Sequence, residues 1–363
     1  MNMMIVLSAA TVLSVAAAGA AEAEKPQEWT WIEGTKLPLE GKAFAAGETC
    51  GPYDRLPGDC TNVSAGVAEH LVCTAGLSFR FRTSSAKLRI RWTPRYADLA
   101  MPHMPATGKS GVDVYQRTGK DGWWYVKPPW WAMPNPVRAD HVWTITPNAP
   151  TIVNLPLYNG LKDISIGLEK GCTVEPLPPH ASGVRKPVVF YGTSTTQGGC
   201  VSRPGLLWTS ILARRLDIPV VNLGFSGSGK MEDRLLECVS SIDASAYVLD
   251  TIGNMPPELI DARFENFVRE LNRRRPETPI LVTANGWVFD DDYRARAAHV
   301  KAVYAKLKAE DPVKWKKFRF AGDYGSGIAP DAEGTVDGVH LNDLGSFRVA
   351  GYLAPIIAEM LGL

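Results

Sequence analysis

Charge of one sign is the first thing this chain lacks. Among 363 residues, 39 Lys and Arg stand against 38 Asp and Glu, for a net charge of +1. The two signs are mixed along the chain, so there is no electrostatic case for nucleic acid or an anionic membrane as partner. Metal-ligand spacing is missing too: the six Cys and six His form no Cys-x-x-Cys and no His-x-x-x-His pattern. Neither a metal nor an organic cofactor is therefore expected. Beyond residue 18 no apolar run reads as a membrane span. Trp, by contrast, is plentiful, with 11 residues.

Residues 3–18 are apolar and uncharged, followed by Ala18-Gly19-Ala20 and Ala21-Glu22-Ala23, either of which is a small-x-small cleavage site. The expectation is a signal peptide over 1–23, removed on export to the periplasm or the medium. No Lys or Arg precedes the run, a departure from the usual pattern. Export permits disulfides. Cys50 and Cys60 flank a Gly- and Pro-bearing stretch and are the expected pair, with Cys73, Cys172, Cys200 and Cys238 left open. Oligomeric state is not legible.

The N-terminal half shows no long helical period. Short alternating runs at 77–82, 88–92, 112–115, 142–145, 152–155 and 164–168, separated by Pro, Gly and Asn, predict an all-β sandwich, jelly-roll-like, over 24–176. A Pro-rich stretch at 177–186 reads as a linker. From 187 the rhythm changes to strand, loop, helix. Continuous apolar runs at 187–191, 220–223, 246–249 and 279–283 suit parallel strands buried on both faces. Helical patterns at 206–216, 231–240, 258–274, 291–309 and 344–361 complete a flavodoxin-like doubly wound α/β domain over 187–363. Such sheets bind ligands at the carboxyl ends of their strands.

Three stretches lie at those ends: Gly192-Thr193-Ser194-Thr195-Thr196-Gln197-Gly198, Asn222-Leu223-Gly224-Phe225-Ser226-Gly227-Ser228, and Asp337-Gly338-Val339-His340-Leu341-Asn342. A serine hydroxyl is a weak nucleophile until a base takes its proton, and the base must be oriented by an acceptor. Ser194, on a glycine-flanked turn, fits the nucleophile. His340 fits the base, and Asp337 its acceptor, with Asp250 and Asp323 as rivals near strand ends. Donors for an oxyanion are the Ser194 N–H, the Gly227 N–H and the Asn254 side chain. A serine here also suits a helix cap, Gly227 a plain turn and Asn254 a loop cap. The Asp337–His340 pair favours the chemical reading of Ser194.

These blocks resemble the SGNH (GDSL-like) hydrolases, in which a Ser block, a Gly block, an Asn block and an Asp-x-x-His block follow in that order. Thr193 stands where the family usually has Asp, and Gly253-Asn254-Met255 replaces its Gly-x-Asn-Asp. Upstream, Gly111-Val112-Asp113-Val114-Tyr115 resembles the Gly-x-Asp-Leu-Tyr β-domain that precedes such modules in secreted bacterial proteins. The resemblance implies a carbohydrate-directed serine esterase, most often a deacetylase. Its expected partner is an acetylated polysaccharide or oligosaccharide. No lid-like apolar helix accompanies the site, which disfavours long lipid chains. An esterase or acyltransferase on other small esters, or a silent carbohydrate-binding protein, stays open as an alternative.

Expected substrate contacts are Arg203, His103 and Trp130, the last in a cluster with Trp123, Trp124 and Trp131 whose faces suit stacking on sugars. Each has a structural alternative: a salt bridge for Arg203, a loop role for His103, and core packing for the Trp cluster.

Overall fold

The structure is a computed structural model that describes residues 27–45, 47–60, 62–119, 122–129, 134–135, 137–284, 291–322 and 332–363. The expected leader, Trp130, Trp131 and Asp323 fall outside these. Two antiparallel sheets form the N-terminal half. One runs Trp29–Glu33, Leu161–Glu169, Lys87–Pro94, Ala139–Thr144; the other runs Glu175–Pro176, Ser78–Arg82, Thr151–Asn154, Asp113–Arg117, Trp123–Tyr125, with Leu39–Glu40 also on Ser78–Arg82. Period-two alternation explains the sandwich: Leu88, Ile90 and Trp92 point inward from one sheet and meet Phe79, Phe81, Val114 and Val153 from the other. Trp29–Glu33 and Trp123–Tyr125 escaped the sequence pattern because both are only partly buried and do not alternate cleanly.

The C-terminal half is a five-stranded parallel sheet in the order Val220–Gly224, Val188–Gly192, Ala246–Asp250, Ile280–Thr283, Phe318–Ala321. The first four strands are buried throughout, as their unbroken apolar runs require. Phe318–Ala321 carries Arg319 at the sheet edge, so its sequence does not read as a buried strand. Val188 and Phe190 pack under Trp208–Leu216 and Asp343–Leu361, whereas Val189 and Tyr191 face Asp233–Ser241, Pro257–Arg274 and Asp291–Glu310. Helices thus cover both faces, the doubly wound arrangement.

The halves are not strung together loosely. Phe44, Leu56, Cys60 and Val67, from the N-terminal half, share one core with Leu223, Leu235 and Val239. Arg55 is 2% exposed and reaches the end of the Val220–Gly224 strand. It donates to the carbonyls of Asn222 (3.1 Å), Gly224 (2.9 Å), His70 (2.7 Å) and Cys73 (2.8 Å). Burial pulls its pKa down to about 10, so the guanidinium stays charged at neutral pH. Oxygen acceptors replace its hydration shell. Replacing Arg55 by Met would orphan those carbonyls and cost about 3 kcal/mol or more, read as a loss of denaturation midpoint at unchanged m-value.

The expected linker is pinned at His180. Its Nδ1 lies 3.0 Å from Asp217 Oδ1 and its Nε2 2.7 Å from Glu40 Oε1. Burial works against the imidazolium, but the hydrogen bonds to Asp217 and Glu40 prevail and raise its pKa above 6.5. Hydrogen bonding to His180, with a backbone bond from Ala181, holds Asp217 below 3.8 against burial. Since His180 is raised, its contribution is whole below its unfolded pKa and fades as pH climbs through the folded one. Asp217, being depressed, contributes above its unfolded pKa and loses that as pH falls. The stability gap between wild type and His180→Gln should therefore be widest at about pH 5–6 and narrow above neutrality in denaturant titrations. A gap independent of pH would contradict this.

Candidate active site

The Val188–Gly192 strand passes through Thr193 into a one-turn helix, Ser194–Gln197. A Cβ on Gly192 would lie 2.1 Å from Thr196 Oγ1. Only glycine lets the helix fold back this closely. The buried carboxylate of Asp250, ending the next strand, fastens the turn. It accepts from Thr195 Oγ1 (3.1 Å), Thr196 Oγ1 (2.6 Å) and Thr283 Oγ1 (2.6 Å). Asp250, a rival partner for the histidine, is thus occupied beneath the serine. From the β-domain, Tyr158 OH donates to the Ser194 carbonyl at 2.9 Å. Burial raises the phenol's pKa and keeps it a donor.

His340 and Asp337 share a compact turn ahead of the Asp343–Leu361 helix. Asp337 Oδ1 accepts from the amides of Val339 (3.0 Å) and His340 (2.7 Å), while Oδ2 meets His340 Nδ1 at 2.7 Å. The opposite ring nitrogen, Nε2, lies 3.0 Å from Ser194 Oγ. Burial opposes ionisation of Asp337, yet the His340 ring and the two amides outweigh it and hold the carboxyl below 3.8. It is therefore ionised at neutral pH and fixes the imidazole tautomer with a free electron pair toward Ser194. The structure brings these three residues together in the order the sequence suggests.

The loop after Val220–Gly224 supplies the facing wall. Its Phe225 amide donates to Gly192 O (3.0 Å) and its Ser226 amide to Gln197 Oε1 (2.8 Å), so it is stitched to the serine's helix. Gly227 has φ of +64°, the left-handed region, with no atom within 4 Å of where a Cβ would sit. Asn254, on the short 3-10 turn Ile252–Asn254, donates one Nδ2 hydrogen to Ser228 O at 2.8 Å. Among the described residues no acceptor takes its second hydrogen.

His103 comes from the β-domain to stand beside the site, exposed, its ring centroid 5.4 Å from that of His340. Cys200 is buried next to them, and burial with the Asp337 charge pushes its thiol up to about 12, far from a thiolate nucleophile. Donor atoms of His103, Cys200 and His340 lie within 4.8 Å of one another. A metal there would have to displace Ser194 or Asp337 from His340, so the arrangement is built for proton transfer.

Arg203 takes up the salt-bridge alternative: its guanidinium binds Asp113 Oδ2 (3.0 Å) and Tyr115 OH (2.5 Å) and stacks 3.6 Å from the Tyr125 ring centre. Asp113 is 2% exposed and also accepts from Gly205 N (2.8 Å) and Asn154 Nδ2 (2.8 Å). Asp113 and Tyr115 thereby clamp the Pro204–Leu206 turn that leads into Trp208–Leu216. Sequence reasoning missed Tyr158 and Gln197 and held Asp250 only as a rival acceptor for the histidine; the roles of all three are buried hydrogen bonds that leave no local pattern.

A serine, an imidazole and a carboxylate in series on the carboxyl rim of a doubly wound sheet define a serine hydrolase. Residues 185–358 match the GDSL-like lipase/acylhydrolase family, and residues 28–174 match the GxDLY domain, the N-terminus of SGNH-hydrolase-type esterases. The chain belongs to the SGNH (GDSL-like) hydrolases, in the branch that carries this β-domain.

Its fold is similar to that of a GDSL-lipase-like protein from Bacteroides ovatus, with 27% identity, TM-score 0.82, and coverage of 92% of this chain and 98% of the other. Salicylyl-acyltransferase SsfX3 from a tetracycline biosynthetic pathway shares the fold at 18% identity and TM-score 0.67, with 92% and 98% covered. So does a family two carbohydrate esterase from Cellvibrio japonicus, at 11% and 0.57, with 93% and 99% covered. No curated protein matches.

A fluorophosphonate that reports serine nucleophilicity should label wild type at Ser194. His340→Ala should slow labelling by about 10³-fold or more, and Asp337→Asn by about 10²–10⁴-fold. Equal labelling of all three proteins would remove the histidine from the serine's activation.

Proposed function

We propose that this protein is a secreted serine esterase that hydrolyses O-acyl esters, chiefly O-acetyl groups, on carbohydrates. One observation carries the reading: a single imidazole, His340, is bonded on one side to Asp337 at 2.7 Å and on the other to Ser194 Oγ at 3.0 Å. Ser194 Oγ attacks the ester carbonyl as its proton passes to His340 Nε2. The tetrahedral oxyanion accepts from the Ser194 and Gly227 amides and the second Asn254 Nδ2 hydrogen, each worth about 3–4 kcal/mol at the barrier. The carbon–oxygen bond to the sugar breaks, and the leaving hydroxyl takes the proton from His340. Water, deprotonated by His340, then attacks the acyl-enzyme, releasing the carboxylic acid and restoring Ser194.

Carbohydrate as substrate is supported by the β-domain type and by partly exposed aromatics on that domain. Trp124 is 57% exposed and Tyr125 39%, well suited to stacking on a sugar ring. His103 is the polar group best placed to contact the acylated sugar. Export rests on the leader-like residues 1–23, and N-terminal sequencing of protein from the culture medium tests it directly.

The decisive experiment compares acetate release from a panel of acetylated polysaccharides by wild type and Ser194→Ala. Release by wild type alone, with the variant down about 10³-fold or more, is the expected result. Cleavage of p-nitrophenyl acetate without release from any glycan would retain the serine chemistry and discard the carbohydrate assignment. Silence of both proteins on every ester would discard the enzyme reading.

A further inference from the structure

Cys60 and Cys238 lie in different halves of the chain, yet their sulfurs are 3.4 Å apart and each residue is 4% exposed. Cys238 sits on the Asp233–Ser241 helix, which follows the Gly227 loop. Cys60 precedes the Ala65–His70 helix, where a Cβ on Gly66 would come within 2.3 Å of Ser228 Oγ on that same loop. The two cysteines therefore stand behind the wall of the active site, one on each side of the domain seam.

A disulfide bond is about 2.05 Å long, so closing this pair needs the sulfurs to approach by about 1.4 Å, within the reach of side-chain rotation. The two backbones are already fastened beside them: Arg234, one turn before Cys238, binds Asp59 Oδ1 at 2.9 Å and Asp59 O at 3.2 Å. Cys50, the partner expected from sequence for Cys60, is exposed and its Sγ faces Gly58 O at 3.8 Å. The structure has all six cysteines as thiols. The hydrogen bond from Cys238, aided by the Arg234 charge, favours the Cys60 thiolate against burial. Cys238 also lines a surface recess together with Cys50, Asp59 and Glu237, which opens the Cys238 side of the pair to a small oxidant.

We propose that Cys60 and Cys238 are a disulfide site that covalently joins the N-terminal half to the helix behind the Gly227 loop. The oxidant is a small-molecule disulfide of the glutathione type. The Cys60 thiolate attacks one of its sulfurs, a mixed disulfide forms and one glutathione thiolate leaves. Cys238 gives up its proton and attacks the Cys60 sulfur, expelling the second glutathione. The protein loses two electrons and two protons, and one oxidised glutathione becomes two reduced ones. Because the site rests on sulfur positions alone, it stands independently of the substrate reading.

The test incubates the full chain with oxidised glutathione, blocks remaining thiols and maps peptides without reduction. A Cys60–Cys238 linked peptide is expected, in wild type and equally in Cys50→Ser. The oxidised protein should also melt about 5 °C or more above the reduced one, a difference that vanishes in Cys238→Ser. A Cys50–Cys60 or Cys50–Cys238 peptide, or alkylation of both Cys60 and Cys238 after oxidation, would overturn the proposal.

Discussion

Everything in the site depends on how tightly the chain turns between Gly192 and Thr196. Because Gly192 has no side chain, the helix bearing Ser194 folds back against its own strand. The Asp250 carboxylate then holds that helix by two threonine hydroxyls. The Gly227 loop hangs from the same turn, through Phe225 to Gly192 and Ser226 to Gln197. A serine hydroxyl held at hydrogen-bonding distance from its base, here 3.0 Å from His340 Nε2, is worth far more than one merely nearby, and this turn sets the aim. His340 needs no comparable scaffold, since its Asp337 partner lies in the same short turn and fixes both its backbone and its ring.

What was legible in the sequence follows from what is local. Strand alternation, buried apolar runs and glycine-flanked turns are short-range signals, and they disclosed both halves of the fold. Asp337 and His340 are three residues apart, so their partnership was readable. Ser194 joins them across 146 residues, and only the order of the blocks hinted at it. The contacts that escaped are long-range and polar. Arg55 reaches Asn222, Tyr158 reaches Ser194, and Arg203 turns back to Asp113. A buried arginine surrounded by carbonyls has no neighbour in sequence to announce it. Arg203 looked like a surface residue near the nucleophile because Asp113, 90 positions earlier, was invisible as its partner.

The Gly-x-Asp-Leu-Tyr signature gains a physical meaning from these contacts. Asp113 is an almost fully buried acid that stays satisfied by accepting from Arg203, Gly205 and Asn154. Tyr115 shares the Arg203 guanidinium and lies 3.9 Å beneath that of Arg214. The motif therefore fixes the geometry of the seam, while the sandwich's own core is carried by Phe79, Trp92, Val114 and their neighbours. Valine in place of leucine at position 114 keeps the inward apolar side chain and leaves both polar members of the signature untouched.

Tyr158 carries this seam into the active site. A phenol from the sandwich is held to the carbonyl of the nucleophile itself, so the β half is part of the nucleophile's immediate surroundings. Without it the Ser194 carbonyl would lose its donor, and the strand end that Arg55 caps would lose its guanidinium. The sandwich belongs to the site as much as the sheet does.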